Sequence, residues 1–348
     1  MLLKSEKVES KGLVSHSKPK FEISDFESVC SLLSNSVVAD GSKLFEFEEL
    51  LSKYLGGSTV VTPSGRQALL AALLALEVSG SEIIIPSYVC KSVYEAVVSS
   101  GAIPILCDNG ADRWVVNKDS ILEKVTSKTA GVIRVHTFGT VPFEGKINDS
   151  DKSLFLIDDL CQSFNPISDS ADLSVFSFFA TKEIVIGRGG AVASFTDSLN
   201  EKVRAITKDE MVFTPITDLQ AILGISQLER IQTYKSRRRE IIDAYLTVLP
   251  EKLRHPEMLV GGNRQSRMVI LDLEASFEER EEEFRSLGIV VRRGVDELLH
   301  RYLGFADSDF PEAVKIFDHT VSIPLNPSLS NSDVQRVMDA IKKIWANG

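Results

Sequence analysis

The sequence predicts an α/β protein whose mostly parallel central sheet is flanked by helices, followed by a smaller α+β C-terminal domain. Three observations carry that expectation. Short apolar runs bounded by turn residues alternate with helical patterns from Thr59 to Phe195. Several of those runs are apolar throughout, as strands covered on both faces require. Near Glu251 the composition shifts to an acidic helix between two short strands. Strands that alternate with helices imply right-handed crossovers and hence a mostly parallel sheet. The expected division is a large domain with an N-terminal arm over residues 1–240 and a small one over residues 241–348.

The elements follow in order. The first forty residues are polar and read as an arm plus a short helix. Phe45 to Tyr54 places apolar residues at helical spacing, and Gly56-Gly57 stops it. Thr59–Thr62 is a short strand and Arg66–Val78 an apolar helix. Glu82–Pro86, Ile103–Cys107, Gly131–His136, Ser153–Asp158, Leu173–Phe179 and Gly190–Phe195 read as strands, with a helix at Lys91–Ser99. Helical patterns cover Leu219–Leu228 and Ile241–Val248. The small domain offers strands at Met268–Leu273 and Ile289–Arg292, an acidic helix at Glu278–Leu287 and a final helix at Ser332–Ile344. Asp333 early and Lys342-Lys343 late in that last helix suit its dipole.

Composition narrows the function. The chain has 348 residues, 43% of them hydrophobic, enough for a large core. A net charge of −10 excludes the basic footprint that nucleic-acid phosphates need. The one basic run, Lys235 to Arg239, reads as a solvated helix face. Cys30, Cys90, Cys107 and Cys161 have neither disulfide-framework nor metal-type spacing, and fit reduced thiols in a cytoplasmic protein. No export signal is visible. The longest apolar run, Ala68–Leu76, is about half the ~20 residues a bilayer crossing needs.

Catalytic groups in an open parallel sheet gather beyond the carboxyl ends of the strands, and the chemistry-bearing residues fall there. Thr62 to Gln67 joins a strand to a helix, so free N–H groups and the positive end of the dipole face outward, as phosphate binding requires. Ser64 adds a hydroxyl and Arg66 a charge, although simple N-capping by Ser64 explains the same pattern. Asp158 and Asp159 end an apolar strand and point to opposite faces, so one of them can meet a ligand on the sheet edge; turn-forming aspartates are the plain alternative. Gln162 follows. Lys182 ends Val175-Phe-Ser-Phe-Phe-Ala-Thr-Lys182 and precedes Gly187-Arg-Gly-Gly190, where glycines leave room for a bulky ligand. Ser177 is a candidate second phosphate ligand. A lysine able to form an imine and an acid able to keep a ring nitrogen protonated are what pyridoxal 5′-phosphate chemistry needs.

These residues resemble a known family. Ser64-Gly-Arg-Gln-Ala-Leu69, Ile84-Ile-Pro-Ser-Tyr88 with Gly101-Ala-Ile-Pro104, Ile157-Asp-Asp-Leu-Cys-Gln-Ser163 and Phe176-Ser-Phe-Phe-Ala-Thr-Lys182 with Gly189-Gly-Ala191 are similar to the DegT/DnrJ/StrS family. Its members are sugar aminotransferases of PLP fold type I. Leu219-Gln-Ala-Ile-Leu-Gly224 and Val321-Ser-Ile-Pro-Leu-Asn-Pro327 extend the match. The resemblance implies that Lys182 is the Schiff-base lysine and proton carrier, that Asp159 pairs with the pyridinium nitrogen, and that Gln162 contacts the phenolic oxygen. It places Ser64, Gly65, Arg66 and Ser177 at the phosphate, and Tyr88 or Cys90 where an aromatic ring usually stacks on the cofactor. It further implies a homodimer that moves an amino group from an amino acid, L-glutamate by analogy, to a keto sugar linked to a nucleotide, in amino-sugar or polysaccharide biosynthesis.

The sequence also departs from the family. Arg66 replaces a small hydroxyl residue, and Arg188 stands where an acidic residue is common. Phe213-Thr-Pro215 occupies the place of the Asn-x-Arg element that reaches the neighbouring subunit. A sugar dehydratase and a cofactor-binding regulator or pseudo-enzyme therefore stay as alternatives, though Lys182 in place of histidine speaks against the first. His136 reads equally as a core histidine or a substrate contact, and His300 as a candidate sugar contact from the small domain. No metal cluster is expected.

Overall fold

A computed structural model describes residues 12–34, 41–149, 152–256 and 266–345; the beginning of the expected arm lies outside them. The arm leads into helix α1 (Ile23–Ser34) and then α2 (Ser42–Leu55). Gly56 ends α2 in the left-handed region at φ 86°, which a residue with a Cβ adopts only under strain. Alternation follows as the apolar pattern requires: β1 (Ser58–Thr62), α3 (Gly65–Ala75), β2 (Glu82–Pro86), α4 (Lys91–Ser99), β3 (Ile103–Cys107), α5 (Lys118–Leu122) and β4 (Thr129–Val135). A small ribbon, β5 (Asn148–Asp149) and β6 (Lys152–Ser153), precedes β7 (Phe155–Asp159), β8 (Leu173–Ser177) and β9 (Gly190–Ser194).

Seven of these strands form one sheet in the order β1-β9-β8-β7-β4-β2-β3. The ladders β8-β7, β7-β4, β4-β2 and β2-β3 are parallel, whereas β9 runs antiparallel to both neighbours. Six strands therefore point the same way, and Thr62, Ser177, Asp159, Val135, Pro86 and Cys107 all end on one edge. The strands are buried on both faces, as their uninterrupted apolar character requires.

Helices α6 (Asp197–Ile206), α7 (Asp218–Glu229) and α8 (Ile231–Val248) follow, so residue 240 lies inside α8. The C-terminal part holds an antiparallel pair, β10 (Met268–Leu271) and β11 (Thr320–Ile323). Around it lie α9 (Phe277–Ser286), α10 (Leu299–Tyr302), α11 (Pro311–His319) and α12 (Asn331–Trp345). Its apolar residues Ile270, Val321, Val337 and Ile341 belong to the same buried cluster as Ile83, Ile133 and Val175 of the large sheet.

Two expectations are corrected. Ile289–Arg292 is not a ladder strand: Ile289 bridges Val14 of the arm and Arg292 bridges Ser322, so each end of the segment pairs with a different partner. The basic run is not wholly solvated either. Lys235 and Arg238 turn inward, 5% and 7% exposed, because each finds a buried acceptor there. Lys235 Nζ donates to Phe164 O and to Asn165 Oδ1 (2.8 Å), and Arg238 reaches Glu183 at 3.3 Å.

Candidate active site

The reversed strand β9 brings two distant segments together. Gly190 is the register partner of both Thr62 on β1 and Ser177 on β8. A Cβ on Gly190 would lie 2.6 Å from the carbonyl carbon of Ser64, so only glycine allows the β1–α3 turn to press this closely on the sheet. Ser64 caps α3, its Oγ accepting from Gln67 N at 3.2 Å. The capping reading of Ser64 is therefore correct as geometry, and it leaves the N–H groups of Gly65 and Arg66 in the helix's first turn without intrahelical partners. Gly65 faces Ser177 and Cys161: a Cβ there would sit 2.7 Å from Ser177 Cβ and 3.1 Å from Cys161 Sγ. The turn, the end of β8 and the segment after β7 thus form one concavity.

Asp158 and Asp159 separate as the alternation of a strand demands. Arg134 holds Asp158 through both carboxylate oxygens, at 2.5 and 2.8 Å, and His136 Nε2 lies 3.0 Å from Oδ1. Burial pushes the Asp158 carboxyl up, but His136 and Arg134 outweigh it and hold the group below the usual carboxylate range. Asp159 lies on the other side, where its Oδ1 accepts from Cys161 N at 2.9 Å. Cys161 is the hub: burial first and Asp159 second raise its thiol well above its ordinary range, while Lys182 opposes them and Cys90 adds to them. Asp159, Lys182 and Cys90 consequently share one electrostatic neighbourhood.

Lys182 lies in the loop between β8 and β9, which Phe178 N to Gly189 O (2.9 Å) and Ile186 N to Phe178 O (3.1 Å) close. Its backbone N–H donates to Phe179 O at 2.9 Å. The adjacent Glu183 anchors the loop, accepting from Phe164 N at 2.7 Å and pairing with Arg238. Gln162 Oε1 accepts from Phe138 N at 3.1 Å, where Phe138 sits at φ 60°. The NH2 end of Gln162 is thereby the one turned to donate. Cys161, Gln162, Ser177 and Lys182 line one cleft, whose other walls come from the arm (His16 to Lys20), α8, the residues before β10 and the segment Ile323 to Pro327.

Other sequence candidates are distributed more widely. The Arg66 guanidinium pairs with Glu95 at 2.7 Å on the helix surface. Tyr88 is fully buried in the main core, and a Cβ on Gly294 would meet its hydroxyl at 2.1 Å. Cys90 is exposed at the start of α4. His300 is a buried clamp, with Nδ1 at 2.6 Å from Ser87 Oγ and Nε2 at 3.0 Å from Asp307. Phe213 packs in the core, and the carbonyl of the exposed Arg188 accepts from Gln220 at 2.8 Å.

Sequence reasoning did not single out Cys161, His16, Arg238 or Arg267. Only Cys161 had a local signal, lying between Asp159 and Gln162; the others reach the cleft through tertiary folding.

The Arg134–Asp158 pair is almost fully buried, so removing one partner strands a charge. Asp158→Ala should cost about 3–5 kcal/mol at neutral pH. Because folding depresses the Asp158 pKa, its contribution is complete above the ordinary carboxylate value of roughly 4. It is lost as pH falls through the folded value. Urea midpoints of wild type and variant should converge on acidification; a gap that does not change with pH would contradict the assignment.

Comparison with known proteins agrees with this geometry. GDP-perosamine synthase of Escherichia coli O157:H7 is 27% identical over 347 residues, covering 90% of this chain and 93% of that protein. The 3-oxo-glucose-6-phosphate:glutamate aminotransferase of Bacillus subtilis is 28% identical over 251 residues, 66% of this chain and 57% of its own. Spr1654 of Streptococcus pneumoniae, solved in PLP and PMP forms, superposes with a TM-score of 0.82 for the PLP form at 23% identity, covering 95% of this chain and 98% of that one. The family model for the DegT/DnrJ/EryC1/StrS aminotransferases matches residues 20–342. The residues at the strand ends fit the cofactor that the sequence pointed to: a glycine cradle that a Cβ would fill, a carboxylate free of its neighbour's ion pair, and a loop lysine in the cleft that Cys161, Gln162 and Ser177 also line. With a site of this make-up and a match over nearly its whole length, the chain belongs to the DegT/DnrJ/EryC1/StrS aminotransferase family.

Proposed function

We propose that this chain is a pyridoxal-phosphate-dependent aminotransferase that carries an amino group from L-glutamate to a keto sugar linked to a nucleotide. The observation that supports it most is the meeting of the Ser64-Gly65 turn, Ser177, Asp159 and the Lys182 loop around Cys161. The names of the two enzyme relatives, one a nucleotide-sugar enzyme and one a glutamate aminotransferase, support the substrate classes.

When bound, pyridoxal phosphate supplies an electron sink for carbanion charge at the substrate carbon. The chain's own residues do the rest. The free N–H groups of Gly65 and Arg66 and the hydroxyls of Ser64 and Ser177 hold the phosphate at the positive end of α3. Arg66 acts there through its peptide, since its guanidinium is paired with Glu95. Asp159 keeps the ring nitrogen protonated, a task open to it because Arg134 occupies Asp158. The Gln162 NH2 donates to the phenolic oxygen. Lys182 would hold the cofactor, and its freed amine would carry the proton at the donor's α-carbon. Of the two candidates for the stacking position, Cys90 is exposed at the start of α4 and Tyr88 is buried in the core, which favours Cys90. Histidine in place of the lysine is the expected mark of a dehydratase, so Lys182 favours transamination.

The same reading includes a homodimer in the cytoplasm. The large exposed apolar side chains Ile23, Phe26 and Met211 (76%, 65% and 96% exposed) call for cover. All four cysteines are free, as in a reducing compartment. Among the described residues no helix is long and apolar enough to cross a membrane.

Glutamate should bleach the cofactor band of the purified protein and yield 2-oxoglutarate, and keto-sugar nucleotides should restore the band. No bleaching with any amino acid would refute the reading. Asp159→Asn should keep the cofactor but slow the glutamate half-reaction at least about a hundredfold, the scale of a misplaced catalytic charge; a rate near wild type would remove Asp159 from this role. Sedimentation should give about twice the 38.4 kDa chain mass, and a monomer at high concentration would rule the dimer out.

A further inference from the structure

The acidic chain builds a cationic cleft. Lys18, Lys20, Lys182, Arg238 and Arg267 line it against a single carboxylate, Glu183, although the whole chain carries a net charge of −10. Two of these cations are neutralised locally, Arg238 by Glu183 at 3.3 Å and Lys20 by Glu22 at 3.1 Å, and Lys18 is exposed to solvent. Lys182 is assigned to the cofactor. Arg267 is different. It stands just before β10 and is half-buried in the cleft wall, yet it makes no ion pair or hydrogen bond through its guanidinium among the described residues. Its charged neighbours do not satisfy it. Arg292 repels it, and Asp296, exposed, attracts it without coming into ion-pair contact. Tyr88 stands near it, its hydroxyl buried against Gly294.

His16, from the arm, completes this corner. Its Nε2 lies 2.8 Å from Ser322 Oγ and its Nδ1 2.9 Å from Ser17 Oγ. Burial, followed by Arg267 and Arg292, lowers its pKa to about 3, so at neutral pH it is uncharged and adds no repulsion. Ser266 Oγ, next to Arg267 in the same wall, is also buried without a partner. A partly desolvated cation without an ion-pair partner forgoes some of its solvation. A planar guanidinium with unused N–H donors is suited to bidentate recognition of a carboxylate or phosphate.

We propose that Arg267 is a specificity-determining residue that anchors a substrate oxyanion in the cleft, with Ser266 as its neighbouring hydroxyl donor. The site is the one assigned above to transamination, so the proposal rests on that reading for the identity of the substrates. The oxyanion is a carboxylate of the amino donor or a phosphoryl group of the sugar nucleotide; both would enter the same cleft in turn.

The test uses the cofactor-loaded protein and two unreactive probes, glutarate and inorganic pyrophosphate, titrated by calorimetry into wild type, Arg267→Ala and Arg267→Lys. Truncating a desolvated charge partner typically weakens binding by on the order of 30-fold or more. We expect such a loss in Arg267→Ala for at least one probe, with partial recovery in Arg267→Lys. Loss with glutarate assigns the carboxylate, and loss with pyrophosphate assigns the phosphoryl group. We also expect the melting temperature of Arg267→Ala to be unchanged or raised, since the variant removes an uncompensated charge. Unchanged affinity for both probes would overturn the proposal, as would a variant that melts earlier and binds normally. If the wild type binds a probe through Arg267 but never reacts with glutamate, the anion site stands and the assigned reaction falls.

Discussion

The site depends on one close approach, the passage of the β1–α3 turn over Gly190. Strand β9 runs against its neighbours and inserts between β1 and β8, so that a single residue is in register with both Thr62 and Ser177. Without a side chain at that point the backbone of Ser64 can lie on the sheet edge, and the first turn of α3 then faces the loop that carries Lys182. Segments more than a hundred residues apart in sequence are brought to one concavity by this contact, and the parallel strands β7 and β4 deliver the acidic side to the same edge.

Electrostatics then divides the labour between two adjacent carboxylates. Asp158 is consumed by Arg134 and stabilises the sheet edge, whereas Asp159 is left with the backbone N–H of Cys161, a residue that lines the cleft. The same division recurs with cations. Arg238 and Lys235 are absorbed by buried acceptors and fix the loop around Phe164, while Arg267 and Lys182 line the cleft without an ion pair among the described residues. A buried ion pair is a costly way to gain stability. In this protein the pairs lie beside the reactive groups, where a defined geometry is worth that cost.

Much of this was legible in the sequence, and for definite reasons. Strands Glu82–Pro86 and Ile103–Cys107 and helix Lys91–Ser99 occur where periodicity and turn residues placed them, because a sheet covered on both faces leaves an uninterrupted apolar signature. Asp159, Gln162, Ser177 and Lys182 could be singled out as candidates because each lies within a few residues of a strand end. What was hidden depends on long-range partners. Nothing near Arg66 announces Glu95, and nothing in the basic run tells Lys235, facing Phe164, from the more solvated Arg239. Tyr88 and Cys90 both follow Pro86, and only the packing of Gly294 against Tyr88 separates them. His16 and Arg267 belong to no motif; they meet in the cleft because the arm and the start of β10 fold against each other.

The central claim is that a covalent bond to the cofactor forms at Lys182, in the loop that β8 and β9 hold against the Ser64-Gly65 turn. Borohydride reduction of the cofactor-loaded protein, followed by proteolysis and mass spectrometry of the peptides, tests it directly. The account predicts one pyridoxyl-phosphate adduct, on the peptide containing Lys182, and none in Lys182→Ala. An adduct on another lysine, or an unmodified Lys182 in protein that binds the cofactor, would contradict it.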